Sequence, residues 1–287
     1  MTIHDQTEKL HLAATLISQA DGLLITAGAG MGVDSGLPDF RGEKGFWKAY
    51  PALGRRHIKF QDIATPSAFV TMPAQTWGFY GHRLELCRQT IPHQGFQLLK
   101  KWAESMQGGY SVFTSNVDGQ FQKAGFIPYR IRECHGSLHR LQCSDACTNT
   151  TWDAACFIPE IDLESGQLKN APPVCPACGA IARPNVLLFD DYYWLESETD
   201  IQKQRQQSWL DSISKPVIIE IGAGLAISTV RNFSDRTARQ FNGHLIRINP
   251  SHPNVSRAID VSLSINALQA LQEIDAILYR LRSGRSG

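Results

Sequence analysis

Residues 23–42 read LLITAGAGMGVDSGLPDFRG. The opening Leu23-Leu-Ile-Thr26 is a short apolar run with no polar face, as in a strand buried on both sides, and it leads directly into Gly28-Ala-Gly30. A strand ending in a glycine turn is the usual approach to a nucleotide phosphate. Backbone N–H groups at a helix start can hold a pyrophosphate, and glycine permits its close approach. Gly28, Ala29, Gly30 and Met31 are the candidates for that contact, Arg41 adds a cation, and Asp39 adds a hydrogen-bonding carboxylate. A bare Gly-Ala-Gly occurs in many tight turns, so the rest of the chain decides.

Working outward, apolar runs of strand character recur at Tyr110–Thr114, Asn185–Phe189, Pro216–Ile221 and His244–Ile248. Residues 6–20 place Leu10, Ala13, Ala14 and Ile17 at helical spacing, and further helical stretches cover Phe96–Glu104, Asp200–Ser212 and Ala267–Leu281. Buried strands alternating with helices predict an α/β fold, doubly wound around a mostly parallel Rossmann-like sheet. Two segments break the rhythm: 38–95 reads as a small helical module and 134–182 as a small module holding paired cysteines. The expectation is a single catalytic domain over 1–287 with these two insertions and a disordered tail at 283–287.

At 287 residues and 43% hydrophobic content the chain can bury a substantial core. Its net charge of +1 and one short basic stretch, Leu53–Lys59, give no basis for a nucleic-acid surface. The N-terminal MTIHDQTEKL has no apolar signal region, and no uncharged apolar run approaches the roughly 20 residues a membrane helix requires, so a cytoplasmic protein without a membrane partner is expected.

Seven cysteines is an odd number, and four form close pairs, Cys143/Cys147 and Cys175/Cys178, which suits metal binding better than disulfides. Two such hooks converge to a tetrahedral four-sulfur site, the geometry Zn2+ accepts. Four thiolates leave no open position, so the zinc is expected to be structural. His135, eight residues before Cys143, is then outside the ligand set. Its spacing alone leaves it either a packing histidine or a base.

The match becomes specific when motifs are read in order. The glycine loop resembles the sirtuin NAD-binding pattern GAGxSxxSGxPDFRG, and the resemblance continues through Thr114–Asp118, Cys134–Ser137, both cysteine pairs, Arg183–Phe189, Gly222–Leu225 and Ile248–Pro250. It implies that NAD lies in a cleft between the sheet and the two modules, with an acyl-lysine protein or peptide entering from the other side. Asn116 and Asp118 would hold the nicotinamide end, Phe40 would cover the reactive ribose carbon, and Ser115, Gly222, Ala223, Gly224, Asn249 and Pro250 would complete the cofactor site. His135 would be the general base, taking a proton from a ribose hydroxyl once the acyl oxygen has attacked and nicotinamide has left; the products would be deacylated lysine and O-acyl-ADP-ribose.

Tyr80 and Arg83 stand three apart, and in isolation they read as one face of an amphipathic helix with a solvated arginine. The class III sirtuins, which remove malonyl, succinyl and glutaryl groups, carry a Y-x-x-R motif with an alanine sixteen positions before the tyrosine, as Ala64 stands before Tyr80 here. The resemblance therefore implies a wide acyl pocket with Arg83 and Tyr80 binding a terminal carboxylate, lined also by Val186 and Phe189; possible deacetylase activity accompanies it. Gly32, Ser115, Ala223-Gly224 and Asp190-Asp191 depart from the family's usual serine, glutamine, Thr-Ser and Gly-Glu. An NAD glycohydrolase or ADP-ribosyltransferase would use the same ribose activation, and a non-catalytic NAD sensor would be expected to lack His135. The oligomeric state leaves no trace in the sequence.

Overall fold

The computed structural model describes residues 3–38 and 42–283. Asp39, Phe40 and Arg41, three of the candidate cofactor residues, and Gly284–Gly287 of the tail lie outside them. The strands are β1 (Gly22–Ala27), β2 (Tyr110–Thr114), β3 (Ile131–Glu133), β4 (Gly136–Cys143), β5 (Trp152–Asp153), β6 (Ile161–Asp162), β7 (Gln167–Leu168), β8 (Ala182–Val186), β9 (Pro216–Ile221), β10 (His244–Ile248) and β11 (Val261–Leu263). The helices are α1 (Ile3–Gln19), α2 (Gly42–Ala49), α3 (Pro51–Arg55), α4 (Phe60–Ile63), α5 (Pro66–Thr71), α6 (Pro73–Gln89), α7 (Gln94–Glu104), α8 (Gln120–Lys123), α9 (Ser197–Asp211), α10 (Thr229–Gln240) and α11 (Ala267–Ser283). Among the described residues no helix is long and apolar enough to cross a membrane.

Six strands form one all-parallel sheet in the order β11-β10-β9-β1-β2-β3. Every residue of β1, β2 and β9 is buried, because helices cover both faces. On one face Leu10, Ala13 and Ile17 of α1 meet Leu23, Ile25 and Val112, together with Leu99 of α7 and Ile274 of α11. On the other, Leu210 of α9 and Val230 and Phe233 of α10 pack on Leu24, Phe113 and Ile218. The doubly wound reading of the sequence holds. Connections run from β1 towards β2 and β3 on one side and from β9 towards β10 and β11 on the other, so the winding reverses between β1 and β9.

One predicted strand belongs elsewhere. Asn185–Phe189 does not extend the parallel sheet: the strand there is Ala182–Val186, and it pairs antiparallel with β4 in a separate sheet of order β5-β4-β8. A buried apolar run reads the same whichever sheet it joins. The insertions also have different edges and are not separate bodies. Cys134 still follows the main sheet through its N–H to the Thr114 carbonyl at 2.9 Å. Phe46, Ile63, Phe69, Trp77 and Leu84 of the helical insertion share one core with Leu141, Leu168, Ala182 and Val186 of the cysteine-bearing one. At Gly78 of α6 a Cβ would lie 2.1 Å from the Gly166 carbonyl oxygen, so this contact between the insertions requires glycine. Ser283, placed in the tail by sequence, closes α11.

Candidate functional site

The reversal between β1 and β9 creates a crevice beyond the carboxyl ends of those strands, the place where open α/β sheets bind ligands. Gly28 follows β1 and Gly222 follows β9. Their loops touch at backbone level: Gly30 N–H donates to the Gly222 carbonyl at 3.0 Å, and Gly28 N–H to the Ile221 carbonyl at 2.9 Å. A Cβ on Gly28 would lie 2.8 Å from Ala223 Cα, and one on Gly222, whose φ is +64°, 2.4 Å from Gly30 Cα. Nothing lies within 4 Å of a Cβ built on Gly224, so that loop opens outward. A backbone-lined, side-chain-free cradle at a switch point fits the diphosphate of a dinucleotide.

The remaining cofactor candidates divide into those facing the crevice and those that shape it from behind. Met31 is fully buried in the main core, so only its backbone belongs to the loop, and its carbonyl accepts from His93 Nε2 at 3.0 Å. Asn249 is also fully buried: Nδ2 donates to the Ala223 carbonyl at 2.9 Å, and Oδ1 accepts from the N–H groups of Ser251 and His252 at 3.0 Å. Arg231 donates to the same Ala223 carbonyl at 3.3 Å. The loop that lacks the family's two hydroxyls is thus fixed through Ala223. Pro250 is exposed at the end of β10.

Across the crevice, Thr114 Oγ1 accepts from the Asn116 N–H at 3.0 Å, and Asn116 Nδ2 donates to the Gly28 carbonyl at 3.0 Å, tying the β2 loop to the glycine loop. Asp118 accepts from the Gln120 N–H at 2.9 Å at the start of α8. Burial pushes its carboxyl up from the usual carboxylate range, opposed by that hydrogen bond and by the charges of Arg83 and His139.

His135 lies between β3 and β4, its carbonyl accepting from the Leu187 N–H at 3.0 Å. Its half-buried ring faces the Ser115 backbone carbonyl. A ring N–H given to a carbonyl fixes the tautomer and leaves the other nitrogen with its lone pair. Burial holds the imidazole below its ordinary histidine value, so it is neutral at pH 7. The short Ser115 side chain, a departure from the pattern, is irrelevant to this backbone contact. Sequence reasoning missed this carbonyl, because any residue type supplies one.

The four thiols of Cys143, Cys147, Cys175 and Cys178 lie within 4.8 Å of one another, and His135 is not among them. The Cys143–Cys178 and Cys147–Cys175 sulfurs are 3.6 and 3.5 Å apart. A tetrahedron with Zn–S near ~2.3 Å has edges of about 3.8 Å, so the set fits one structural Zn2+. The longer first hook is closed by Ala146 in the left-handed region, at φ 50°.

Around the acyl-pocket candidates, Ala64 is buried and its carbonyl accepts from the Phe189 N–H at 2.9 Å, which brings these two candidates together. Val186 is buried beside them in the shared core. Tyr80 and Arg83 share one face of α6. The Tyr80 ring is 1% exposed, yet its hydroxyl makes no hydrogen bond among the described residues, and burial raises it to about 12 against the nearby Arg83 charge. Arg83 lies 5.4 Å from the Phe79 centroid, and its charge reaches both Tyr80 and Asp118. Asp190 takes φ 55°, explaining why glycine is usual there. Asp191 is fully buried in an ion pair with Arg183 at 2.8 Å.

Comparison with known proteins agrees with this geometry. An NAD-dependent protein deacylase of Aeropyrum pernix is 27% identical over 264 residues, covering 91% of this chain and 94% of its own. Another, from Aquifex aeolicus, is 25% identical over 252 residues, covering 88% and 93%. A solved Sir2 homologue mutant in complex with ADP-ribose shares the fold, with a TM-score of 0.68 at 24% identity over 94% of this chain and 97% of its own. The profile of the Sir2 family matches residues 28–227. That span is well over half of the sequence, and the chain belongs to the Sir2 family.

Proposed function

We propose that the chain is an NAD-dependent protein-lysine deacylase that prefers acyl groups ending in a carboxylate, of succinyl or malonyl type. The observation that carries the acyl preference is Tyr80. Its ring is buried while its hydroxyl hydrogen-bonds no described residue, and an arginine whose charge acts on it stands one helical turn away. A carboxylate-tipped acyl chain would accept from this hydroxyl and supply an anion for Arg83. Small Ala64 leaves width for it.

The glycine cradle would take the diphosphate of NAD, with Asn116 and Asp118 at the nicotinamide end. Bound there, NAD supplies ADP-ribose as the acceptor of the acyl group. His135, neutral and oriented by the Ser115 carbonyl, would take the proton from the ribose hydroxyl as that oxygen becomes the nucleophile. Zinc takes no part in the chemistry, since four thiolates close its coordination. Exposed Leu187, Phe189, Tyr192 and Tyr193 beside the crevice offer an apolar strip for the protein substrate, and Asp190 adds a negative charge favouring basic peptides.

The test is a comparison of Arg83→Met and Tyr80→Phe on succinyl-lysine and acetyl-lysine peptides. A charge-assisted hydrogen bond is worth roughly 1.5–3 kcal/mol, so Arg83→Met is expected to lower kcat/KM for the succinyl peptide about ten- to a hundredfold. The acetyl rate should stay near its starting value. Equal losses on both peptides would remove the carboxylate reading.

A further inference from the structure

Glu133 ends β3 with its side chain 9% exposed, turned towards α8 and away from Arg132, which stacks over Phe113 on the opposite face of the sheet. Its Oε1 is buried without a hydrogen-bond partner. The groups facing the carboxyl are Gln122 of α8 and Ser137 of β4, together with the charges of Asp118 and of Glu198 on α9. From α9, Gln202 and Thr199 engage only the Glu133 backbone, at 2.9 and 3.1 Å.

Both of these polar neighbours form arms that lead back to Asp118. Ser137 Oγ accepts from the His139 N–H at 3.3 Å, and the His139 ring meets the Asp118 carbonyl through Nε2 at 3.0 Å. Gln122 belongs to α8, whose first N–H is capped by Asp118 Oδ1. A second negative charge placed between these arms would oppose the one on Asp118 in a medium too dry to screen it.

We propose that Glu133 is a positioning residue for the nicotinamide end of the site, held as the neutral acid so that Asp118 carries the negative charge there alone. As an acid it carries an O–H that can donate to a neighbouring polar group. Once ionised it is acceptor-only and repels Asp118. Burial, with the neighbouring acids, raises the Glu133 carboxyl to about 7, so the change falls in the working range of pH. The competent, protonated fraction falls as pH rises through this value, and KM for NAD rises with it. This inference rests on the placement of Asp118 against the nicotinamide end proposed above.

The experiment measures kcat and KM for NAD between about pH 6.5 and 8.5 in the zinc-loaded enzyme and in Glu133→Gln, which copies the neutral acid in shape. Wild type is expected to show KM rising about twenty- to thirtyfold across that range with kcat little changed, as a falling competent fraction requires. Glu133→Gln should keep KM low and flat. A merely structural glutamate would lower stability or rate at every pH without changing the profile. The same KM slope in Glu133→Gln as in wild type would overturn the proposal. Should Glu133→Gln not fold, a flat wild-type profile would do so. Asp118→Asn separates the two ideas: an unchanged KM for NAD would remove Asp118 from the nicotinamide end, whereas a raised KM together with an unaltered Glu133→Gln slope would remove only the role of Glu133.

Discussion

His135 acts in this account through one carbonyl and one lone pair. His135→Ala is expected to abolish nicotinamide release coupled to deacylation while leaving NAD affinity within a fewfold of wild type and the melting temperature little changed; calorimetry with NAD checks both. Loss of binding together with unfolding would make it a packing residue. The same geometry predicts a pH effect. The base must be neutral, and burial favours the neutral form, so the acid limb of kcat should lie below the usual histidine value near ~6.5. Rates are lost as pH falls through that limb. At this scale the sequence was legible where a motif names a side chain: the four cysteines converge on one cluster, and Asn116 ties the β2 loop to the glycine loop. It was not legible for Met31 and Asn249, since a motif does not say which way a side chain points, and both turn into the core. Asp191, read in the sequence only as part of a departure from Gly-Glu, is a buried partner of Arg183 in the structure.

Among the elements, the parallel strands and their covering helices were readable because burial on both faces leaves unbroken apolar runs. The pairing of β8 with β4 was not, because hydrogen-bond partners leave no residue signature and Asn185–Phe189 is as apolar as a sheet-centre strand. β3 and β11, each three residues long, are too short to show a periodicity. In the first cysteine hook the left-handed Ala146 carries strain that glycine would remove. Ala146→Gly is expected to raise stability by up to about 1 kcal/mol without altering zinc stoichiometry, measured by denaturant titration with metal analysis. On β9 and β10 the paired Glu220 and Arg247 are 0% and 3% exposed and meet at 2.6 Å. Arg247→Met would leave Glu220 buried without this partner, at a cost of about 3–5 kcal/mol, visible as a lowered melting temperature.

For the whole molecule, the winding reversal places the cradle on a sheet that folds from its own core, while the wall opposite depends on the lobe built jointly by the two insertions. That dependence gives zinc a reach beyond its ligands. Cys175→Ser, or chelation, is expected to release hydrogen-exchange protection in α6 and in β4 to β8 together, with β1, β2 and β9 still protected. Loss confined to the cysteine hooks would show that the two insertions are independent. The sequence marks two segments that interrupt the strand–helix rhythm but could not show that they share one hydrophobic core, since contacts such as Gly78 against Gly166 are distant in the chain.

The most direct measurement follows nicotinamide and deacylated peptide together, in one reaction with NAD, for succinyl-, malonyl- and acetyl-lysine peptides of the same sequence. The account predicts one nicotinamide released per lysine deacylated, no release without acyl peptide, and a higher kcat/KM for the carboxylate-tipped groups than for acetyl. Nicotinamide released at the same rate without peptide, or an acetyl preference equal to or above succinyl, would contradict it.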